Sequence, residues 1–281
     1  MGTPCCMRSR HHLLLLAALA AAVHPLPAAA APAATPPPPG ANVPCTPTAA
    51  HPEPVILVHG TAESMFDNWQ AMSPALKAAG YCVYAFNYGS YNGSGTLGVY
   101  GIGQIERSAQ ELALEVQAVL AQTGSSKVDL VGHSQGGMMP RYYLKNIDGS
   151  KVDDLVGLSP SNHGTTNRLA SPLGAACPAC AQQAAGSSFI TQLNAGDETP
   201  GAVDYTNVVT RYDEVVNPYT SGFLAADGNA VTNITLQDKC PNDTSEHLRT
   251  PYDPAAIQIT LNALGRSGPA DPSFQPACAA L

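Results

Sequence analysis

Charge is scarce in this 281-residue sequence: Lys, Arg, Asp and Glu together make up 12% of it, about half the share usual in a soluble domain. Basic residues are the scarcer kind, 13 Lys and Arg against 21 Asp and Glu, for a formal net charge of −8. Binding to a phosphate backbone is supplied mostly by Lys and Arg, so this balance excludes a nucleic-acid partner. The same acidity helps keep an exported chain in solution. Long apolar runs are missing too. Leu13 to Val23 falls well below the roughly 20 residues that span a bilayer, and no transmembrane segment is expected. No internal repeat is present. The length allows one large domain or two small ones, and 44% hydrophobic residues suffice for a sizeable core.

What is there begins with an address. Arg8 and Arg10 precede the apolar run and Ala28-Ala29-Ala30 follows it, the layout of a secretory signal peptide with a small-residue cleavage site. Residues 1–30 are read as that signal, for a protein secreted to the extracellular space. Twelve of the 25 prolines precede Val55. Residues 31–44, rich in Pro and Ala, are therefore expected as an extended tether, and residues 45–281 as a single folded domain. Cys5 and Cys6 would leave with the signal. The six cysteines that remain, Cys45, Cys82, Cys177, Cys180, Cys240 and Cys278, are even in number and read as three disulfides, with the pairing left open by spacing. Cys177-Pro-Ala-Cys180 has no second such pair to complete a zinc site and no thioredoxin-like surroundings. It reads as a short structural bridge.

From Pro54 onward, short β-branched runs alternate with longer amphipathic stretches. Val55–Val58 is continuously apolar, as in a parallel sheet covered on both faces. Further strands are expected over 82–86, 128–131, 154–158, 203–210 and 231–236. Helices are expected over 69–79, 105–122, 138–145 and 253–264, two of them ended by Gly80 and Gly124. The alternation predicts a doubly wound, mostly parallel six-stranded sheet with helices on both faces. The stretch 161–201 breaks the rhythm and reads as a lid or binding loop.

Gly132-His133-Ser134-Gln135-Gly136 fits G-x-S-x-G, in which a serine on a sharp strand-to-helix turn projects its oxygen above the sheet. It follows an apolar strand and precedes a helical stretch, as that turn requires. Pro140 inside the expected helix breaks a local rule. A nucleophilic serine needs a base and an acid to orient it, and on this kind of scaffold they follow in the order Ser, Asp or Glu, His. Only His163 and His247 follow Ser134. His247, between the last strand and the last helix, is the expected base, and His163 a loop residue on the rim. The acid should leave the preceding strand, where Asp213 and Glu214 stand side by side. Asp197, Glu198 and Asp227 are read as solvated loop charges. Backbone N–H groups of Gln135 and of Thr61, after the first strand, are the expected oxyanion donors.

At these residues the chain resembles the secreted bacterial lipases of the lipase class 2 family and, more distantly, fungal lipases of the lipase-B type. The similarity rests on the stretch from Pro54 to Thr61, the elbow Gly132 to Gly137, Tyr212-Asp213-Glu214-Val215-Val216, and Glu246-His247 with Pro251-Tyr252-Asp253-Pro254. It implies a minimal α/β-hydrolase, Asp213 rather than Glu214 as the acid of a Ser134–His247–Asp213 triad, and the Thr61 hydroxyl as an extra oxyanion donor. It also implies the pairs Cys45–Cys82, Cys177–Cys180 and Cys240–Cys278. No carboxylate cluster stands out in the sequence, so neither a metal nor a cofactor is expected. The expected activity is serine ester hydrolysis, in particular of triacylglycerol, with a lipid or small ester substrate. Transient contact with an oil–water interface and a monomeric state go with it. A short-chain carboxylesterase or polyester depolymerase would use the same triad. A serine peptidase or a catalytically dead binding domain are the rivals from other classes.

Overall fold

The computed structural model describes residues 1–2, 35–167, 175–226 and 230–278. The chain divides into two units, Met1–Ala33 and Ala34–Leu281, and every strand and helix of the described residues lies in the second. The expected signal peptide falls almost wholly outside the described residues.

Six strands form one sheet: β1 (Val55–Val58), β2 (Val83–Ala85), β3 (Val128–His133), β4 (Val152–Leu158), β5 (Asp204–Val209) and β6 (Val231–Thr235). Their order is β2-β1-β3-β4-β5-β6, and every pairing is parallel. The helices are α1 (Met65–Asn68), α2 (Met72–Ala78), α3 (Ile105–Thr123), α4 (Gln135–Asn146), α5 (Pro178–Gln182), α6 (Ser188–Leu193), α7 (Leu236–Lys239) and α8 (Pro254–Leu264). Successive strand residues point to opposite faces, and β1 divides accordingly. Val55 and Leu57 pack with Trp69, Met72 and Leu76 of the α1–α2 region and Ile259 of α8. Ile56 and Val58 pack with Leu112 and Val116 of α3 and with Met138 of α4. Every β1 residue is buried, which is why its sequence is continuously apolar rather than alternating.

The sequence-based boundaries hold to within a few residues, with three differences. The helix expected over 69–79 is the shorter α2 (Met72–Ala78), and a separate α1, capped by Ser64 accepting from Asp67 N–H, precedes it. Residues 35–44 are not a free tether throughout. Asn42 donates to Ala85 O (2.7 Å) and accepts from Ala85 N–H (2.8 Å), Ser73 Oγ donates to Pro39 O, and Ala41 is buried in the core. A side chain that satisfies both backbone groups of β2 makes this stretch part of the domain, which therefore starts before Cys45. Third, the segment 161–201 contributes α5 and α6, whose Ala179, Phe189, Ile190 and Leu193 join the core. It is packed structure over its described part.

All three disulfides pair as the resemblance implies: Cys45–Cys82, Cys177–Cys180 and Cys240–Cys278. No helix among the described residues is long and apolar enough to cross a membrane.

Candidate active site

The carboxyl ends of the central strands carry the site. β3 runs into Ser134, whose φ of 55° and ψ of −121° lie in a region that costs an L-residue about 1–3 kcal/mol. Close packing around the turn holds it there. A Cβ on Gly136 would run into the Val58 carbonyl, and one on Gly132 into the Gly136 carbonyl. The second contact also accounts for Pro140, which lies inside α4. Proline has no N–H to offer the carbonyl four residues back, so Gly136 O loses its helical donor, and this oxygen is the one lying against Gly132. Proline and glycine fit each other across the elbow. Gln135 opens α4, and the first N–H groups of a helix have no partner within it.

Asp213 and His247 meet in the wall of the cavity that His247 and Ser134 both line. His247 Nδ1–H donates to Asp213 Oδ2 at 2.9 Å, with both side chains almost wholly buried. The other carboxylate oxygen, Oδ1, accepts from Val215 N–H (3.0 Å) and Val216 N–H (2.7 Å). Glu214 is not turned away from the histidine as an ideal strand exit would require. Its Oε2 accepts from the backbone N–H of His247 at 3.2 Å. The chain has left β5 by this point, so strict alternation no longer applies, and the two neighbouring carboxylates hold different parts of one residue.

Five groups missed in the sequence complete the surroundings: His133, Glu63, His59, Gln183 and Arg141. His133, set aside because it precedes Ser134, lies beneath the His247 loop. Its Nε2–H donates to His247 O (3.1 Å), and the rings stand 4.8 Å apart. Burial disfavours its charge, but Glu63, 2.9 Å from Nδ1, outweighs that and raises its pKa. Burial would likewise raise Glu63, and His133 overrides it to hold the carboxyl low. His59, packed on Tyr88, is pushed down to about 4 by full burial and stays neutral. Gln183, at the end of α5, donates to Thr61 Oγ1 at 2.8 Å. Arg141, fully buried on α4, donates to Glu198 O, Asn162 O and Asn194 Oδ1, tying the 161–201 segment to the helix behind the serine. Glu198 is thus no free loop charge, since its carboxylate also meets His163 Nε2 at 3.0 Å. Asp227 lies outside the described residues. His133 carried a signal, its place inside the elbow. Gln183 and Arg141 carried none, because Thr61 is 122 residues from Gln183 and the partners of Arg141 are 21 to 57 residues from it in the chain.

Thr61, Ser134, Gln183, Val215, Val216, His247 and Leu248 line one cavity of about 300 Å³. The expectation of no carboxylate cluster needs correcting. One residue of β3, Asp129, faces two of β4 where the register shifts between Val128 and Leu130. Oxygens of Asp129, Asp153 and Asp154 come within 4.8 Å of one another there, at the end of the sheet remote from Ser134. Lys127 pairs with Asp153 at 2.7 Å, so one of the three carboxylates already has a cation.

A parallel sheet carrying a strained serine at the end of β3 and a histidine–carboxylate pair past β5 and β6 defines an α/β-hydrolase. The Lipase (class 2) family profile matches residues 52–260, and the chain belongs to that family. It is 38% identical over 99 residues to a triacylglycerol lipase of Pseudarthrobacter phenanthrenivorans, covering 34% of this chain and 28% of that protein. It is 30% identical over 179 residues to lipase B of Pseudozyma antarctica, covering 60% and 48%. The crystal structure of Aspergillus fumigatus lipase B superposes with a TM-score of 0.69 at 26% identity, over 82% of this chain and 57% of that one. The matched region thus spans between about a quarter and a half of those two curated relatives.

Proposed function

We propose that this chain is a secreted serine hydrolase of carboxylic esters, acting on acylglycerols through Ser134, His247 and Asp213. The observation that carries this reading is the His247–Asp213 hydrogen bond at 2.9 Å in the wall of the cavity that Ser134 also lines. With Nδ1–H committed to Asp213, Nε2 is the nitrogen that takes the proton from Ser134 Oγ as it attacks the ester carbonyl. The N–H groups of Gln135 and Thr61, with the Thr61 hydroxyl, take the charge that develops on the carbonyl oxygen. The alcohol leaves with the proton from His247, and water, activated by the same nitrogen, frees the acid.

Lipid as the substrate class is supported by the apolar rim. Val215 and Leu248 line the cavity yet are 37% and 51% exposed, and they would meet an oil surface around an acyl chain. Export is supported by three disulfides, which persist in oxidising compartments, together with the signal-like residues 1–30.

The test is hydrolysis of p-nitrophenyl esters from acetate to palmitate, and of emulsified triacylglycerol, by wild type and Ser134→Ala. Ser134→Ala should lose on the order of 10⁶-fold in turnover while keeping its melting temperature. A folded Ser134→Ala variant with wild-type turnover refutes the reading. Activity confined to the shortest esters replaces lipase with short-chain carboxylesterase.

A further inference from the structure

Thr61 Oγ1 lies within hydrogen-bond distance of two side-chain amides, Gln135 Nε2 at 2.7 Å and Gln183 Nε2 at 2.8 Å. Which end of each amide faces the threonine is fixed by other partners. Gln135 Nε2 also meets Gly101 O at 2.6 Å, and a carbonyl only accepts. Gln183 Nε2 also meets Ala179 O at 3.3 Å, and its Oε1 accepts from Ser161 Oγ at 2.9 Å. Both amides therefore donate to Thr61. A hydroxyl accepts two hydrogen bonds and donates one. With both lone pairs filled, Thr61 keeps its proton for a third partner, and it faces the cavity shared with Ser134.

We propose that Gln183 is a positioning residue, which fills a lone pair of Thr61 so that the threonine hydroxyl is left to donate to the oxyanion. This rests on the serine-hydrolase reading above. Gln183 is suited to the task by how firmly it is held. Its backbone carbonyl accepts from Thr165 N–H (2.9 Å) and its N–H donates to Ala179 O (3.0 Å). It closes α5, whose first turn is clipped by Cys177–Cys180, and its side chain is buried. A preorganised donor has little left to reorient when charge develops, which is where such groups gain their effect. The 161–201 segment thus reaches the chemistry through one amide.

The isosteric variant Gln183→Glu tests this. An ionised carboxylate only accepts, so it would capture the Thr61 proton and set a negative charge beside the oxyanion. Turnover of p-nitrophenyl butyrate at pH 8 should fall about 10²- to 10³-fold, with KM changed only a few-fold. The ratio of variant to wild-type turnover should then climb as pH falls, because a protonated carboxyl can again donate to Thr61. Gln183→Met has neither donor nor charge. It should lose about 10-fold, at a ratio independent of pH, and should add nothing to Thr61→Val. A purely structural role predicts lower melting temperatures and flat pH ratios for both Gln183 variants. A flat ratio for Gln183→Glu, or an undiminished effect of Gln183→Met on top of Thr61→Val, overturns the proposal. Ser134→Ala measured alongside separates this failure from that of the reading beneath it: if it is inactive and the Gln183 variants are not as expected, only the role of Gln183 is wrong.

Discussion

Replacing Asp213 with Asn changes one oxygen into an NH₂ group, and the surroundings dictate where that group must go. Oδ1 accepts two backbone N–H groups, from Val215 and Val216. An amide NH₂ turned toward them would set donors against donors, so the Asn oxygen stays there and the NH₂ faces His247 Nδ1. That nitrogen must then accept, which moves the ring proton to Nε2 and leaves no base for Ser134. Loss of the correct tautomer in this way costs about 10⁴-fold in turnover, or about 5 kcal/mol at 1.36 kcal/mol per decade. Substrate binding should change little, because the side chain of Asp213 is buried behind the histidine. Glu214→Gln is the comparison. The Glu214 carboxylate accepts from the backbone N–H of His247, and a Gln oxygen can do the same, so turnover should stay within a few-fold. The assay is kcat and KM on p-nitrophenyl butyrate for both variants at pH 8, with melting temperatures to establish folding. A loss below about 10-fold for folded Asp213→Asn, or a larger loss for Glu214→Gln, refutes the assignment.

Two further outcomes concern stability. Mature protein should titrate no free thiols, and the bridges should differ in worth. Cys45–Cys82 spans 37 residues and Cys177–Cys180 only 3, so loop-closure entropy gives about 4 kcal/mol for the first and under 2 for the second. Denaturant unfolding of the two Cys-to-Ala pairs should show that ranking, and equal losses would contradict it. Burial and the neighbouring acids push Asp154 up to about 8, from about 4 in an unfolded chain. A raised carboxyl pKa stabilises the fold at low pH, and that stability is lost as pH climbs from about 4 through 8. Asp154→Asn should flatten the fall of melting temperature over that window, and a variant curve parallel to wild type would exclude Asp154 as its source.

Legibility in the sequence followed the range of the interactions. β1 could be read because burial on both faces makes it continuously apolar. The elbow could be read because part of it is local: Gly132 answers a contact only four residues away, the Gly136 carbonyl. Asp213 and His247 could be picked as candidates because strand order fixes which loops follow Ser134 along the sheet. What could not be read depends on two distant segments meeting. Asn42 makes residues 35–44 part of the domain only because β2 presents Ala85 to it. Gathering of Asp129 with Asp153 and Asp154 needs a register shift that no local pattern announces.

The most instructive case is His247, whose candidacy followed from elimination but whose support did not. Its ring is held by Asp213, its N–H by Glu214, and its carbonyl by both His133 and Thr250 Oγ1 (3.0 Å). Those partners come from the end of β5, the elbow and the loop itself. A base on a loop would lose precision to backbone motion, and catalytic geometry tolerates only a fraction of an ångström of it. His247 only opens a short 3-10 turn, His247–Tyr252, and the three segments bracketing it answer that problem. The Glu63–His133 pair then matters for more than its own contact. It fixes the ring whose Nε2–H grips the His247 carbonyl, and it joins the segment after β1, which carries Thr61, to the turn that carries His247. Thr61, Ser134 and His247, the groups of the proposed mechanism, are thereby joined by one buried network, so a disturbance at Glu63, which lines the same cavity, should reach all three.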